Sequence, residues 1–191
     1  MLNIVIFGPP GAGKGTQSDK LIDKYNLFHI STGDLFRYHT KNETALGKKV
    51  KEIMDSGELV SDDITIAMLR EEVEKNPQAS GFLFDGFPRT VPQAEALDEL
   101  MKSLSTEIHA VVELEVTEEE VRTRIAKRKE LEGRADDADD KLERRIQEYF
   151  SKTVHVLPFY KAQDRLSTVN GIGEIDTIFS SISEVLDQHV A

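Results

Sequence analysis

The sequence contains no cysteine. That removes disulfides, thiol nucleophiles and cysteine-held zinc together. No apolar run approaches the ~20 residues that span a bilayer. No basic leader with a long apolar core precedes the first strand-like run, so neither a membrane anchor nor a secretory signal is expected. Positive charge is also scarce: the 191 residues carry a net charge of −11, which argues against nucleic-acid partners. His29, His39, His109, His155 and His189 lack the spacing of a metal site. What remains is 39% hydrophobic and 31% charged. This composition predicts a soluble globular protein with one sizeable core, and the lack of cysteine is compatible with the expected cytoplasmic location.

The most informative stretch is Gly8-Pro9-Pro10-Gly11-Ala12-Gly13-Lys14-Gly15-Thr16. It follows the apolar run Ile4-Val5-Ile6-Phe7 and precedes an amphipathic segment carrying Leu21, Ile22 and Tyr25. Strand, glycine turn and helix in that order form a phosphate-binding loop. The glycines leave backbone N–H groups open to close approach. The helix N-terminus adds unpaired donors and a positive partial charge, and Lys14 a full one. The spacing is G-x-x-x-x-G-K, but Gly15 stands where a hydroxyl residue usually follows and Thr16 comes one later. That departure leaves open how magnesium is held.

Further strand-like runs lie at 27–30, 82–84, 110–116 and 166–169, after the first at 2–7. Helical patterns separate them, which predicts an α/β fold with a five-stranded parallel sheet covered on both faces. Ligands of such sheets sit at the carboxyl ends of the strands. Residues 31–60, with two short helices, read as a lobe inserted between strands. Ser31 or Thr32 can cap the first of these, and Arg37 is either an anion ligand or a surface residue. The run Phe82-Leu83-Phe84 ends in Asp85, a position suited to ordering magnesium, directly or through water. Gly86 permits close backbone approach, and Pro88 stiffens the turn that presents Arg89. Thr90 and Gln93 form a possible capping box, or Gln93 uses its amide to read a base edge. Thr117 and Glu120 form a cleaner box, starting a helix with Arg124 and Arg128 on one face. Leu142, Ile146 and Phe150 mark the core face of a later helix, and Ile175, Ile178, Phe179, Ile182 and Leu186 that of the last one. Any one of Arg37, Arg89, Arg124, Arg128, Arg134 and Arg145 reads as a salt-bridged surface residue. As a set they are the cation source that an acidic, polyphosphate-binding protein needs.

These motifs, in this order, resemble the adenylate kinase family of nucleoside monophosphate kinases. The likeness rests on G-P-P-G-A-G-K-G-T-Q at 8–17, S-T-G-D-L-F-R at 31–37, F-D-G-F-P-R-T at 84–90 with Gln93, and the Arg134–Arg145 region, and covers essentially the whole chain. The resemblance implies a three-layer α/β/α core of residues 1–30, 61–126 and 138–191. Two small mobile lobes join it: 31–60 over the monophosphate and a short lid, 127–137, over the triphosphate. The lid is too short for the inserted subdomain of long-lid members and lacks its zinc cysteines, so no zinc is expected. The resemblance assigns ATP to Gly11, Ala12, Gly13, Lys14, Gly15, Thr16, Arg124, Arg128 and Gly173. It assigns AMP to Thr32, Arg37, Glu58, Leu59, Val60, Gly86, Phe87, Pro88, Arg89, Gln93, Arg134 and Arg145. Lys14, Arg89, Arg128, Arg134 and Arg145 would be the catalytic cations, and Asp85 the magnesium residue. The expected partners are ATP, AMP and ADP, and the expected state is a monomer. The implied reaction is Mg·ATP + AMP ⇌ 2 ADP. Its acceptor is a phosphate oxygen whose second pKa is ~6, so no general base is required. Close alternatives are a UMP/CMP kinase, against which Thr32 and Gln93 speak, and a non-catalytic nucleotide switch.

Overall fold

The computed structural model describes residues 1–56, 58–132 and 139–190. Five parallel strands form one sheet: β1 (Ile4–Phe7), β2 (Phe28–Ser31), β3 (Phe82–Asp85), β4 (Ala110–Glu115) and β5 (Leu166–Asn170). Their order is β2-β3-β1-β4-β5. Parallel neighbours need crossovers, and helices supply them. These are α1 (Lys14–Tyr25), α2 (Thr32–Lys41), α3 (Ala45–Ser56), α4 (Asp62–Lys75), α5 (Val91–Ser103), α6 (Glu118–Glu132), α7 (Asp139–Ser151), α8 (Leu157–Lys161) and α9 (Ile175–Leu186).

The strands read as unbroken apolar runs because both faces are covered. Ile4, Ile6, Leu83 and Val112 pack with Leu21, Ile125, Ile146 and Ile182 on one face. Val5, Phe7, Phe84 and Val111 pack with Leu69, Leu97, Met101 and Tyr160 on the other. β1 is central, with β3 and β4 on either side. The chain fills one flank through β3 and then crosses to the other. Its reversal point therefore lies at the carboxyl end of β1, where such sheets open a crevice.

α2 and α3 share a small separate core with α4, in which Phe36, Val50, Val60 and Met68 are buried. The two helices meet backbone to backbone at Gly47, where a Cβ would stand 2.0 Å from the His39 carbonyl oxygen. Gly47→Ala should therefore cost roughly 1–3 kcal/mol, the usual range for overpacking. Chemical denaturation would measure it, and an unchanged midpoint would mean that the helices separate freely.

Three features depart from the sequence reading. Phe150 is 46% exposed, while Tyr149 is 8% exposed and fills the core position. Both lie near the stripe begun by Leu142 and Ile146, and periodicity does not choose between positions seven and eight residues on. Ile175 is 49% exposed, because the buried face of α9 begins a turn later at Ile178. Residues 153–161 carry no predicted element, yet Thr153–Val156 form a 3₁₀ turn leading into α8. Neither piece is long enough to show a period. The first residues of the expected lid at 127–137 are helical, since α6 runs to Glu132, and its remainder lies outside the described residues. No helix among the described residues is long and apolar enough to cross a membrane.

Candidate active site

The glycine loop joins β1 to α1. Gly13 caps α1 at φ +94°, in the left-handed region that favours glycine, and has no side chain with which to cap the first turn. The opening N–H groups of the helix are thus left for an anion. Ala12 is buried, and Gly15 and Thr16 are exposed on the first turn. Lys14 Nζ donates to the Gly8 carbonyl at 2.8 Å and the Pro9 carbonyl at 3.2 Å. Burial lowers its pKa to about 8; Asp85 opposes that shift, and Arg89, Arg145 and Arg128 reinforce it.

Arg89 follows β3 through a turn with a cis Phe87–Pro88 peptide. Burial pushes its pKa down to about 10, helped by repulsion from Arg145 and Arg37 and opposed by Asp85 and Glu148. Cations that depress one another in a half-buried crevice favour a polyanion among them. The Gly86 carbonyl accepts from Arg89 Nε at 2.7 Å and from Thr32 Oγ1 at 2.9 Å. Gly86 has φ +74°, and a Cβ there would come within 2.9 Å of Thr32 Oγ1. Ser31, rather than Thr32, caps α2 by accepting from the Asp34 N–H. Arg37 Nη2 bonds Asp34 Oδ1 at 2.6 Å.

Two adjoining cavities share Leu59, Gly86, Arg89 and Arg145 in their walls. The smaller, about 70 Å³, also touches Lys14, Phe87, Pro88, Glu148 and Tyr149. The larger, about 430 Å³, is lined by Thr32, Phe36, Arg37, Met54, Glu58, Val60, Thr65 and Gln93 among others. A wider hollow of about 650 Å³ lies at the amino ends of the strands, beside Met1, His109 and Arg165. Its arginine is committed to Asp98 at 3.1 Å and Glu107 at 3.4 Å. The crevice at the carboxyl ends, with its converging cations, is the functional candidate.

On the far side of the glycine loop, Arg124 bonds Glu120 through Nε at 2.6 Å, the Ala12 carbonyl at 3.2 Å and the Gly171 carbonyl at 2.8 Å. It ties the loop to the end of β5. Gly173, at φ +128°, has open space where a Cβ would stand. Gly11, at φ +77°, packs against Ile125 of α6. Arg128, a turn beyond Arg124, is close enough to Lys14 to repel it. Arg134 lies outside the described residues.

A family model described as adenylate kinase matches residues 6–165. Curated relatives named adenylate kinase include one from Flavobacterium psychrophilum, 50% identical over 98% of this chain and 99% of its own. Those from Flavobacterium johnsoniae and Maricaulis maris are 48% and 43% identical, again over 98% of this chain and nearly all of theirs. The chain belongs to the adenylate kinase family. It is a phosphotransferase of the nucleoside monophosphate kinase type.

In this adenylate kinase family member, the described residues hold no group of three or more His, Asp or Glu side chains placed to cage a metal. Asp85, at the tip of β3, nevertheless suits magnesium arriving with a nucleotide. That ion keeps several waters and takes one or two carboxylates plus phosphate oxygens. His29 Nε2 lies 3.9 Å from the Asp85 carboxylate.

Sequence reasoning missed several residues of the site. Glu148 and Tyr149 line the smaller cavity, one turn past Arg145 on α7. That spacing of three and four was the available signal. Asp62, which bonds Gln93 and Thr90, gave no signal beyond a favourable place in the first turn of α4.

Proposed function

We propose that the protein transfers the terminal phosphoryl group of Mg-ATP to AMP, reversibly, giving two ADP, and works as a monomer. One observation carries this reading: Arg89 and Arg145 wall both cavities, with Lys14 on the inner one. Two phosphate chains laid end to end would meet at those side chains. A switch that only held one nucleotide would have no use for the second, arginine-lined cavity. The relatives' names favour AMP over a pyrimidine acceptor.

In this account, the N–H groups of residues 11–16 cradle the ATP phosphates. Lys14 follows the transferred group, and Arg124, Arg128 and the backbone at Gly173 hold the rest of ATP. Thr32, Arg37, residues 58–60, residues 86–89 and Gln93 take AMP. Asp85 would order magnesium, which when bound neutralises charge on the bridging phosphate oxygens. The acceptor oxygen needs no base, so catalysis rests on in-line positioning and fixed cations. Arg134 joins Arg145 on the phosphates when the lid at 127–137 closes, and closure excludes water that would hydrolyse ATP.

The lobe at 31–60 touches α7. Arg144 donates to the Ser56 carbonyl at 3.2 Å and approaches Glu58 at 3.6 Å, and Lys141 lies 3.7 Å from Asp55. Exposed pairs contribute ~0.2–1 kcal/mol each. Replacing Lys141 and Arg144 together with alanine should therefore raise the KM for AMP about 2–5-fold and leave that for ATP unchanged. Equal effects on both substrates would disconnect these pairs from the AMP lobe. The reading as a whole is tested by ADP formation from ATP with AMP, UMP, CMP and GMP offered in turn. Rapid turnover with AMP alone supports it, and phosphate release without an acceptor contradicts it.

A further inference from the structure

Asp62 opens α4 and stands behind the larger cavity, outside its wall. Its carboxylate accepts from Gln93 Nε2 at 2.7 Å and from Thr90 Oγ1 at 3.0 Å. On the other side of the same amide, Gln93 Oε1 accepts from the Arg89 backbone N–H at 2.8 Å. Gln93 is only 2% exposed, so water does not compete for these bonds.

An ionised carboxylate only accepts, and a backbone N–H only donates. The two neighbours therefore dictate which way the Gln93 amide faces. Turning it over would set its oxygen against the Asp62 carboxylate and its NH₂ against the Arg89 N–H. In the dictated orientation the amide keeps one N–H and one oxygen lone pair. That remainder matches adenine, whose N6 amino group donates beside a ring nitrogen that accepts. A 6-oxopurine presents the opposite pair: O6 accepts and N1–H donates. Only the turned amide would match it.

The geometry points to Asp62 as the side chain that, together with the Arg89 N–H, sets the choice of 6-aminopurine over 6-oxopurine monophosphates, acting through Gln93. This rests on the reading of Gln93 as the base contact. Asp62 is a positioning residue, since it does not reach the cavity. Asp62→Asn removes the carboxylate that demands a donor, since an asparagine amide can meet either face of Gln93, and leaves the Arg89 N–H as the remaining constraint, so turning the amide over then forfeits one bond instead of two.

The test is kcat/KM for AMP and for IMP, each with saturating ATP. IMP differs from AMP only at the edge in question. In Asp62→Asn the AMP:IMP ratio should fall by about 3–10-fold, part of the discrimination carried by one bidentate base contact, since the Arg89 N–H still favours the original orientation, with the KM for ATP unchanged. A purely structural role would lower both rates or the melting temperature and leave the ratio alone, and that result overturns the proposal. Asp62→Ala is the second variant should Asp62→Asn fail to fold; it too leaves the Arg89 N–H as the remaining constraint on the amide, so the same partial fall in ratio is expected. Gln93→Leu separates the two ideas. If it abolishes the discrimination while both Asp62 variants retain it, Gln93 reads the base and Asp62 does not set it. If Gln93→Leu leaves the ratio intact, the base contact itself lies elsewhere. In the Gln93→Leu background, Asp62→Asn should change the ratio no further.

Discussion

Lys14→Met should lower kcat by on the order of 10²–10³, the range for removing one fixed electrostatic stabiliser. The same substitution should raise the stability of the free protein. Burial and three nearby arginines hold the Lys14 pKa at about 8 against an ordinary 10.5. The charged form is thus penalised in the fold. Because the folded pKa lies below the unfolded one, the unfolded chain binds more protons between those values, and stability rises with pH there. The penalty is full below about 8 and is relieved as pH climbs toward 10.5. A methionine never carries it. Activity falling while the melting temperature rises is the signature of a group kept for function. Near-normal turnover in a folded variant would remove Lys14 from the mechanism.

The wild-type pH profile offers a check on the same group. kcat/KM follows the free enzyme and kcat the bound complex. Lys14 loses its proton as pH rises through about 8, so kcat/KM for ATP should decline on that alkaline limb. A bound triphosphate favours the charged ammonium, so kcat should persist to higher pH. Coincident limbs would point to another group.

Arg89→Ala should lower kcat/KM for AMP about 10³-fold with the fold intact, at the upper end for one charged donor. Arg89 walls both cavities, and its Nε bond to Gly86 fixes the guanidinium beside Lys14. Lysine should restore little of the loss. Its three donors sit on a single nitrogen, so it supplies a point charge but neither the planar fork nor a separate nitrogen to keep on Gly86. Arg89 also lowers the Lys14 pKa. Its removal should move the alkaline limb of kcat/KM for ATP upward. Unchanged AMP kinetics would leave Arg89 a structural part of the Gly86 turn.

Much of this was legible in the sequence, for physical reasons. The strands of a sheet covered on both faces are apolar throughout, so Ile4–Phe7 and Phe82–Phe84 stand out in a charged chain. The glycine loop must be contiguous, because neighbouring N–H groups have to converge on one anion. Gln93 as a candidate base reader rested on its amide, which both donates and accepts, and on the family resemblance, with a local capping box as the competing reading. Long-range partners were not legible. Asp62 meets Gln93 across 31 positions and between two helices, and nothing local marks it. Arg124 reaches Ala12 across 112 positions, so its grip on the glycine loop emerges only once the sheet is assembled. The choice between Tyr149 and Phe150 was settled by what packs against α7, which periodicity does not encode.

The most direct measurement is the stoichiometry of products from Mg-ATP with and without AMP. The account predicts two ADP for each ATP consumed, no free phosphate, and no ATP turnover when AMP is withheld. Steady phosphate release in the absence of AMP, with AMP neither consumed nor accelerating it, would contradict a crevice built to hold two nucleotides phosphate to phosphate.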